Sequence, residues 1–170
     1  LASAVQSFSQ DSIAFLRPGY FDASYENDLF FSTDYYYTQG SHLSFSAPFL
    51  SKSPVLYFFP DFVKGGEEQH SVLLAHDFYT PTDISADSIL FGDRPYSCSF
   101  YLQQSLSDYH VQKKYAFHTT LTAGIFGPWA QGELSQRTFH KWSNSPEPHG
   151  WNNQIRNDIL LNYRIKFEAA

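Results

Sequence analysis

Five side chains could together build a hydrolytic site: the adjacent pair Asn27 and Asp28, Thr38, and Gln136 and His140 spaced four apart. A histidine can take a proton from water near neutral pH, a carboxylate can hold a hard cation, and amide and hydroxyl groups can fix a water or a carbonyl. These are the parts of a metal-assisted hydrolase. Each also has a plainer use. Asp28 and Thr38 can wet a polar strand face, Asn27 and Gln136 can satisfy strand or helix ends, and a histidine on an amphipathic helix is commonly a surface or packing residue.

The elements that would carry these groups are legible in the pattern. Apolar and polar residues alternate with period two along 21–31, 37–49, 71–79, 97–107, 115–125 and 155–167, which predicts about six strands. The last is the cleanest, with Ile159, Leu161, Tyr163, Ile165 and Phe167 opposing Asp158, Asn162, Arg164, Lys166 and Glu168, and Leu160 the exception. In the first, Asn27 falls in the apolar phase and Asp28 in the polar one. Thr38 shares the polar phase of the second with His42, Ser44 and Ser46. A hairpin from Asp28 to Thr38 brings those groups to one end of the sheet.

One stretch departs from alternation. Trp129 to Trp142 has helical spacing, Pro128 suits a first turn, and Glu133, Gln136 and His140 line one helical face. Pro146 and Pro148 end it, so a helix sits inside a long loop between two strands. Ser107-Asp108-Tyr109 reads as a polar turn, and Gly92-Asp93-Arg94-Pro95 as a turn in which Asp93 bonds nearby amides. Trp142, His149 and Trp151 suit a lipid interface, or equally girdle or loop packing.

Composition bounds the class. The 170 residues hold 17 Phe, 12 Tyr and 3 Trp, yet only 16% are charged, which suits strands with one apolar and one wet face. The net charge of -6 supplies no basic stripe, so nucleic acid is not an expected partner. No run approaches the ~20 apolar residues that a membrane-spanning helix needs, although a strand-built membrane wall needs none. The single cysteine, Cys98, is read as a small apolar wall residue. Ala2-Ser3-Ala4 has the small-residue form that precedes a signal-peptidase cut, so residues 1–4 read as a signal-peptide remnant and 1–170 as one domain.

Five motifs in order, Tyr25-Glu26-Asn27-Asp28, Tyr37-Thr38-Gln39-Gly40, Gly92-Asp93-Arg94-Pro95-Tyr96, Gly127-Pro128-Trp129-Ala130 through Gln136 to His140, and Gly150-Trp151-Asn152-Asn153-Gln154, resemble those of the outer-membrane lipid A 3'-O-deacylase family. The resemblance implies an all-β protein, a twelve-stranded antiparallel outer-membrane barrel of which this chain would hold about half the strands plus a loop helix. It also implies a Gram-negative outer-membrane location, lipid A or lipopolysaccharide as substrate, Ca2+ as cofactor, and hydrolysis of the 3'-linked acyl ester. Carried across, His140 would be the general base and Asp28 the Ca2+ ligand, with Asn27, Thr38 and Gln136 orienting the ion, the water or the ester. Two alternatives stay open: a non-enzymatic outer-membrane or lipid-binding barrel, and a small soluble barrel with an apolar ligand inside.

Overall fold

Alternating sequences of this kind hold a register where the hydrophobic set must stay on one face of the sheet. The computed structural model describes residues 19–27 and 36–169. Six strands, β1 (Tyr20–Asn27), β2 (Tyr36–Ser46), β3 (Glu67–Thr80), β4 (Ser97–His110), β5 (Tyr115–Phe126) and β6 (Asp158–Ala169), form one sheet in chain order. Every neighbouring pair is antiparallel. Between β5 and β6 lies α1 (Gly132–Ser143). β1 and β6 do not pair, so among the described residues the sheet is open.

One row of the register, Ala23, Leu43, Leu74, Leu102, Ala123 and Leu161, is apolar across all six strands. Leu161 is 73% exposed and Leu102 51%, so no described residue covers this row at β4 and β6. A row three residues along, on the other face, Tyr20, Ser46, Ser71, Ser105, Thr120 and Arg164, is polar but for its first member. Polar side chains there bond across strands. His42 Nε2 meets Asp77 Oδ1 at 2.7 Å and Tyr101 donates its hydroxyl to Asp77 Oδ2 at 3.0 Å. Ser107 Oγ lies 2.8 Å from His118 Nδ1, and His118 Nε2 3.2 Å from Glu168 Oε2. The order of that chain is that of nucleophile, base and acid. It lies within paired strands, however, whose main-chain amides serve the ladder rather than a developing oxyanion.

The six expected strands are present, with boundaries that differ for physical reasons. β4 runs on to His110 through Ser107-Asp108-Tyr109 instead of turning there, because the Asp108 carboxylate is buried and accepts the Val63 N–H at 2.8 Å. Phe49 leaves β2 for a 3-10 turn at Pro48–Lys52. Ile155 and Asn157 precede β6, and the Asn157 side-chain oxygen accepts the Trp129 N–H at 2.7 Å. Residues 1–4 and Asp28 lie outside the described residues. Among the described residues no helix is long and apolar enough to cross a membrane, which leaves crossing by strands untouched.

Candidate active site

The site begins with a row of the register at one end of the sheet. Asn27, Gln39, Phe78 and Cys98 are paired in succession across β1 to β4, on the apolar face. The helix α1 lies along this row. At its first residue, Gly132, an added Cβ would sit 2.5 Å from Cys98 Cβ and 2.6 Å from the Trp151 ring, so only glycine lets the helix come this close to β4. Near the other end, the Phe139 ring lies 6.1 Å from that of Tyr25 on β1, and Asn27 donates its side-chain N–H to the Tyr25 hydroxyl at 3.0 Å. Three strand spacings are ~14 Å and eight helical rises ~12 Å, so two helical turns span the row from its Cys98 end to its Asn27 end. His140, eight residues beyond Gly132, therefore belongs to the Asn27 end.

The polypeptide preceding α1 sets its start. Gly127–Ala130 forms a 3-10 turn with proline in its first positions, and Gln131 then takes the left-handed conformation at φ 59° before the helix proper. The expected helix from Trp129 is thus two elements. Gly127 itself has φ 79°, and a Cβ there would meet the Arg156 backbone at 2.7 Å. The buried residues of α1 are Gly132, Gln136 and His140, one stripe at every fourth position. Glu133, half-buried on the same side of the helix, pairs along it with Arg137, Oε1 to Nε at 3.2 Å.

His140 is 5% exposed, and its Nδ1 lies within hydrogen-bond distance of the Pro146 carbonyl oxygen. A carbonyl only accepts, so Nδ1 carries a proton, and in the neutral ring the lone pair is on Nε2. Gln136 is 1% exposed. Its Oε1 accepts the Trp151 indole N–H at 2.7 Å, and that bond fixes which end of the amide is which, because the indole only donates. The Gln136 NH2 group is left buried without a partner among the described residues. An unmet donor of this kind normally costs about 1–3 kcal/mol, which an acceptor from outside the protein would recover.

Thr38 is displaced from the phase expected of it. A register shift between Tyr37 and Gln39 makes it the extra residue of a bulge, and its Oγ1 meets that of Thr80 at 2.6 Å. The bulge moves Thr38 from the phase of His42 and Ser44 to the face that carries Phe78 and Thr80, beside the row under α1. Asn27, Thr38, Gln136 and His140 are thereby gathered at one end of one face. Asp28 follows Asn27 directly but lies outside the described residues.

What holds the helix down was only partly legible. Trp151, fully buried, packs on Tyr96 with centroids 4.8 Å apart, and with Phe78, Cys98 and Ala130 forms the one apolar cluster at this end among the described residues. Its place in Gly150-Trp151-Asn152-Asn153-Gln154 marked it, but its contact with Gln136 left no trace in the spacing. Of the other two candidates for packing or interface, Trp142 is 82% exposed and His149 is exposed as well. Cys98 is a buried wall residue as expected, with Sγ 3.1 Å from His76 Nε2.

The β3–β4 connection buttresses this cluster: Ile84 O accepts from the His149 amide at 2.9 Å and from the Tyr96 hydroxyl at 3.0 Å. Asp93 fastens the connection to itself, taking the Thr82 amide at 2.7 Å and the Thr82 hydroxyl at 2.6 Å. The Thr82 hydroxyl and amide, and after them Arg94, hold the Asp93 carboxyl below its ordinary value. A folded pKa below the unfolded one means the anchor is complete above the ordinary carboxylate value and is lost as pH falls through the lower folded value. Hydrogen exchange at the Thr82 amide should therefore stay slow through mild acidification and lose its protection only below the usual carboxylate range. In Asp93→Ala the protection should be missing at every pH; protection retained in that variant would assign the anchor elsewhere.

The family model described as outer membrane protein LpxR matches residues 1–169. Among solved structures, LpxR from Salmonella typhimurium is similar at a TM-score of 0.62 and 20% identity, over 78% of this chain and 40% of that one. The chain thus spans about two fifths of the length of the solved structure it matches, and at that identity the likeness is one of fold. Comparison with curated proteins finds no match.

Proposed function

The chain belongs to the LpxR family of outer-membrane proteins, the lipid A deacylases, its sheet has the fold of part of their barrel wall, and from that premise we propose that it hydrolyses the 3'-linked acyl ester of lipid A with Ca2+ as cofactor. The observation that carries the reading is the pairing of a buried histidine whose tautomer is set, leaving Nε2 as acceptor, with a buried amide donor that no described residue meets.

Nε2 of His140 takes a proton from water, and the resulting hydroxide adds to the ester carbonyl carbon. The carbonyl oxygen becomes an oxyanion for which the Gln136 NH2 is a ready donor. Collapse breaks the bond to the sugar oxygen, which recovers the proton from Nε2. The products are a fatty acid and a free 3' hydroxyl. No nucleophilic side chain is needed.

The donor set suits a hard cation. Asp28, with the side-chain oxygens of Asn27 and Thr38, offers oxygen only, as calcium prefers. Gln136 does not belong to that set, since its oxygen is engaged by Trp151. Among the described residues no three acidic, histidine or cysteine side chains gather as an alternative centre. When bound there, Ca2+ would polarise the ester carbonyl and stabilise negative charge on its oxygen.

The test is fatty-acid release from purified lipid A by the refolded intact protein. Release should stop in excess chelator and return on adding Ca2+, and Asp28→Asn should raise the Ca2+ concentration needed. Release indifferent to chelator would remove the ion from the reading. A folded protein that binds lipid A without releasing fatty acid would be the non-enzymatic wall protein instead.

A further inference from the structure

At the end of the sheet away from α1, β4 reaches β5 through residues 111–114, whereas β2 reaches β3 through residues 47–66. Membrane barrels keep the connections at one end short, so a long one there calls for a reason. Its composition is unlike a water-washed loop: Lys52, Asp61 and Lys64 are its only charged residues, and it holds Phe49, Tyr57, Phe58, Phe59 and Phe62.

One side of this segment packs on the apolar face of the wall. Leu50, Phe59 and Val63 are buried, Phe62 stacks on Phe117 with centroids 4.3 Å apart, and Tyr163 donates its hydroxyl to the Phe58 carbonyl at 3.0 Å. The other side is apolar too. Tyr57 is 90% exposed, Phe58 65% and Phe49 63%, on the same face of the sheet as the exposed Leu161 and Ile165. The backbone is prepared for low polarity. Its turns at Pro48–Lys52 and Pro54–Phe58 bond their own amides, as in Ser53 N–H to Leu50 O at 3.0 Å and Phe59 N–H to Leu56 O at 2.9 Å, and prolines 48, 54 and 60 have no amide hydrogen to satisfy.

The structure assigns residues 48–62 as an interfacial anchor, bedded in the boundary between acyl chains and headgroups of the glycerophospholipid leaflet at the end opposite α1. The occupant follows from continuity: the segment extends the face that the wall of this outer-membrane family turns to lipid. Aromatic rings with a polar edge, as at Tyr57, are favoured at that depth, and the exposed Lys52 and Lys64 can reach phosphate from it.

The test places one polarity-sensitive fluorophore at a time on a new cysteine, in Cys98→Ala protein reconstituted into phosphatidylcholine vesicles. Leu161→Cys reports insertion, since its label should be quenched by doxyl groups deep in the chains, and Lys113→Cys in the short turn marks the aqueous phase. The Tyr57→Cys label should emit to the blue of the Lys113→Cys label. It should be quenched most by doxyl groups near the headgroup and show several-fold weaker quenching by aqueous iodide. A Tyr57→Cys label as open to iodide as that at Lys113→Cys, in protein whose Leu161→Cys label reports insertion, would overturn the assignment.

Discussion

His140→Asn should lose about 10²–10⁴-fold in the rate of fatty-acid release from lipid A while its binding of the lipid stays within a few-fold. The substitution is chosen for what it keeps. The asparagine side-chain N–H can still reach toward the Pro146 carbonyl, as Nδ1 does, so the loop that follows α1 retains its tie. Only the proton-accepting nitrogen disappears. Equal losses in kcat and in kcat/KM would mark an interaction made in the transition state. A variant that turns over at nearly the parental rate would place the base elsewhere, whatever the geometry of the ring.

Trp151→Ala should release α1 from the wall and leave the sheet standing. Truncating a fully buried tryptophan typically costs about 3–5 kcal/mol, and here it also unpairs Gln136 Oε1. The strands have their own ladder across six members, but the helix is fixed by the small cluster of Phe78, Tyr96, Cys98 and Ala130 around that one indole. Hydrogen exchange should accordingly quicken along Gly132–Ser143 and hardly change in β3 and β4, with activity falling alongside. Trp151→Phe separates the two contributions, since it fills most of the volume but cannot donate to Gln136. If both variants protect the helix amides as the parent does, the clamp must lie elsewhere.

These two residues differ in how far the sequence revealed them. His140 and Gln136 could be named from the chain alone because four-residue spacing on a helix puts two side chains on one face, whatever that helix packs against. Trp151 stood in a motif and was read for lipid contact or packing, since nothing local ties an indole to an amide fifteen positions earlier. The Pro146 carbonyl, which sets the histidine tautomer, is likewise a fact of chain path.

Thr38 shows the boundary most clearly. Strict alternation assigns it to the wet face with His42 and Ser44, and one bulged residue reverses that assignment. A bulge is a property of the pairing of β2 with β3, so it cannot be read from either strand by itself. Asp108 is the same lesson at the other end. As a polar residue it suggested a turn, yet a main-chain N–H of Val63, distant in sequence, binds one of its carboxylate oxygens inside a strand.

The sequence by itself determined the strands, the two-faced wall, the loop helix and the residue types of the site. Those depend on periodicity and local spacing, which act over a few residues. Only the tertiary structure decided where α1 lies, which atom of His140 is left to accept a proton, and that the connection at 47–66 turns aromatic rings outward along the wall. Those depend on contacts between groups far apart in the chain, where the free energy is set by packing and by hydrogen-bond partners that no local pattern encodes.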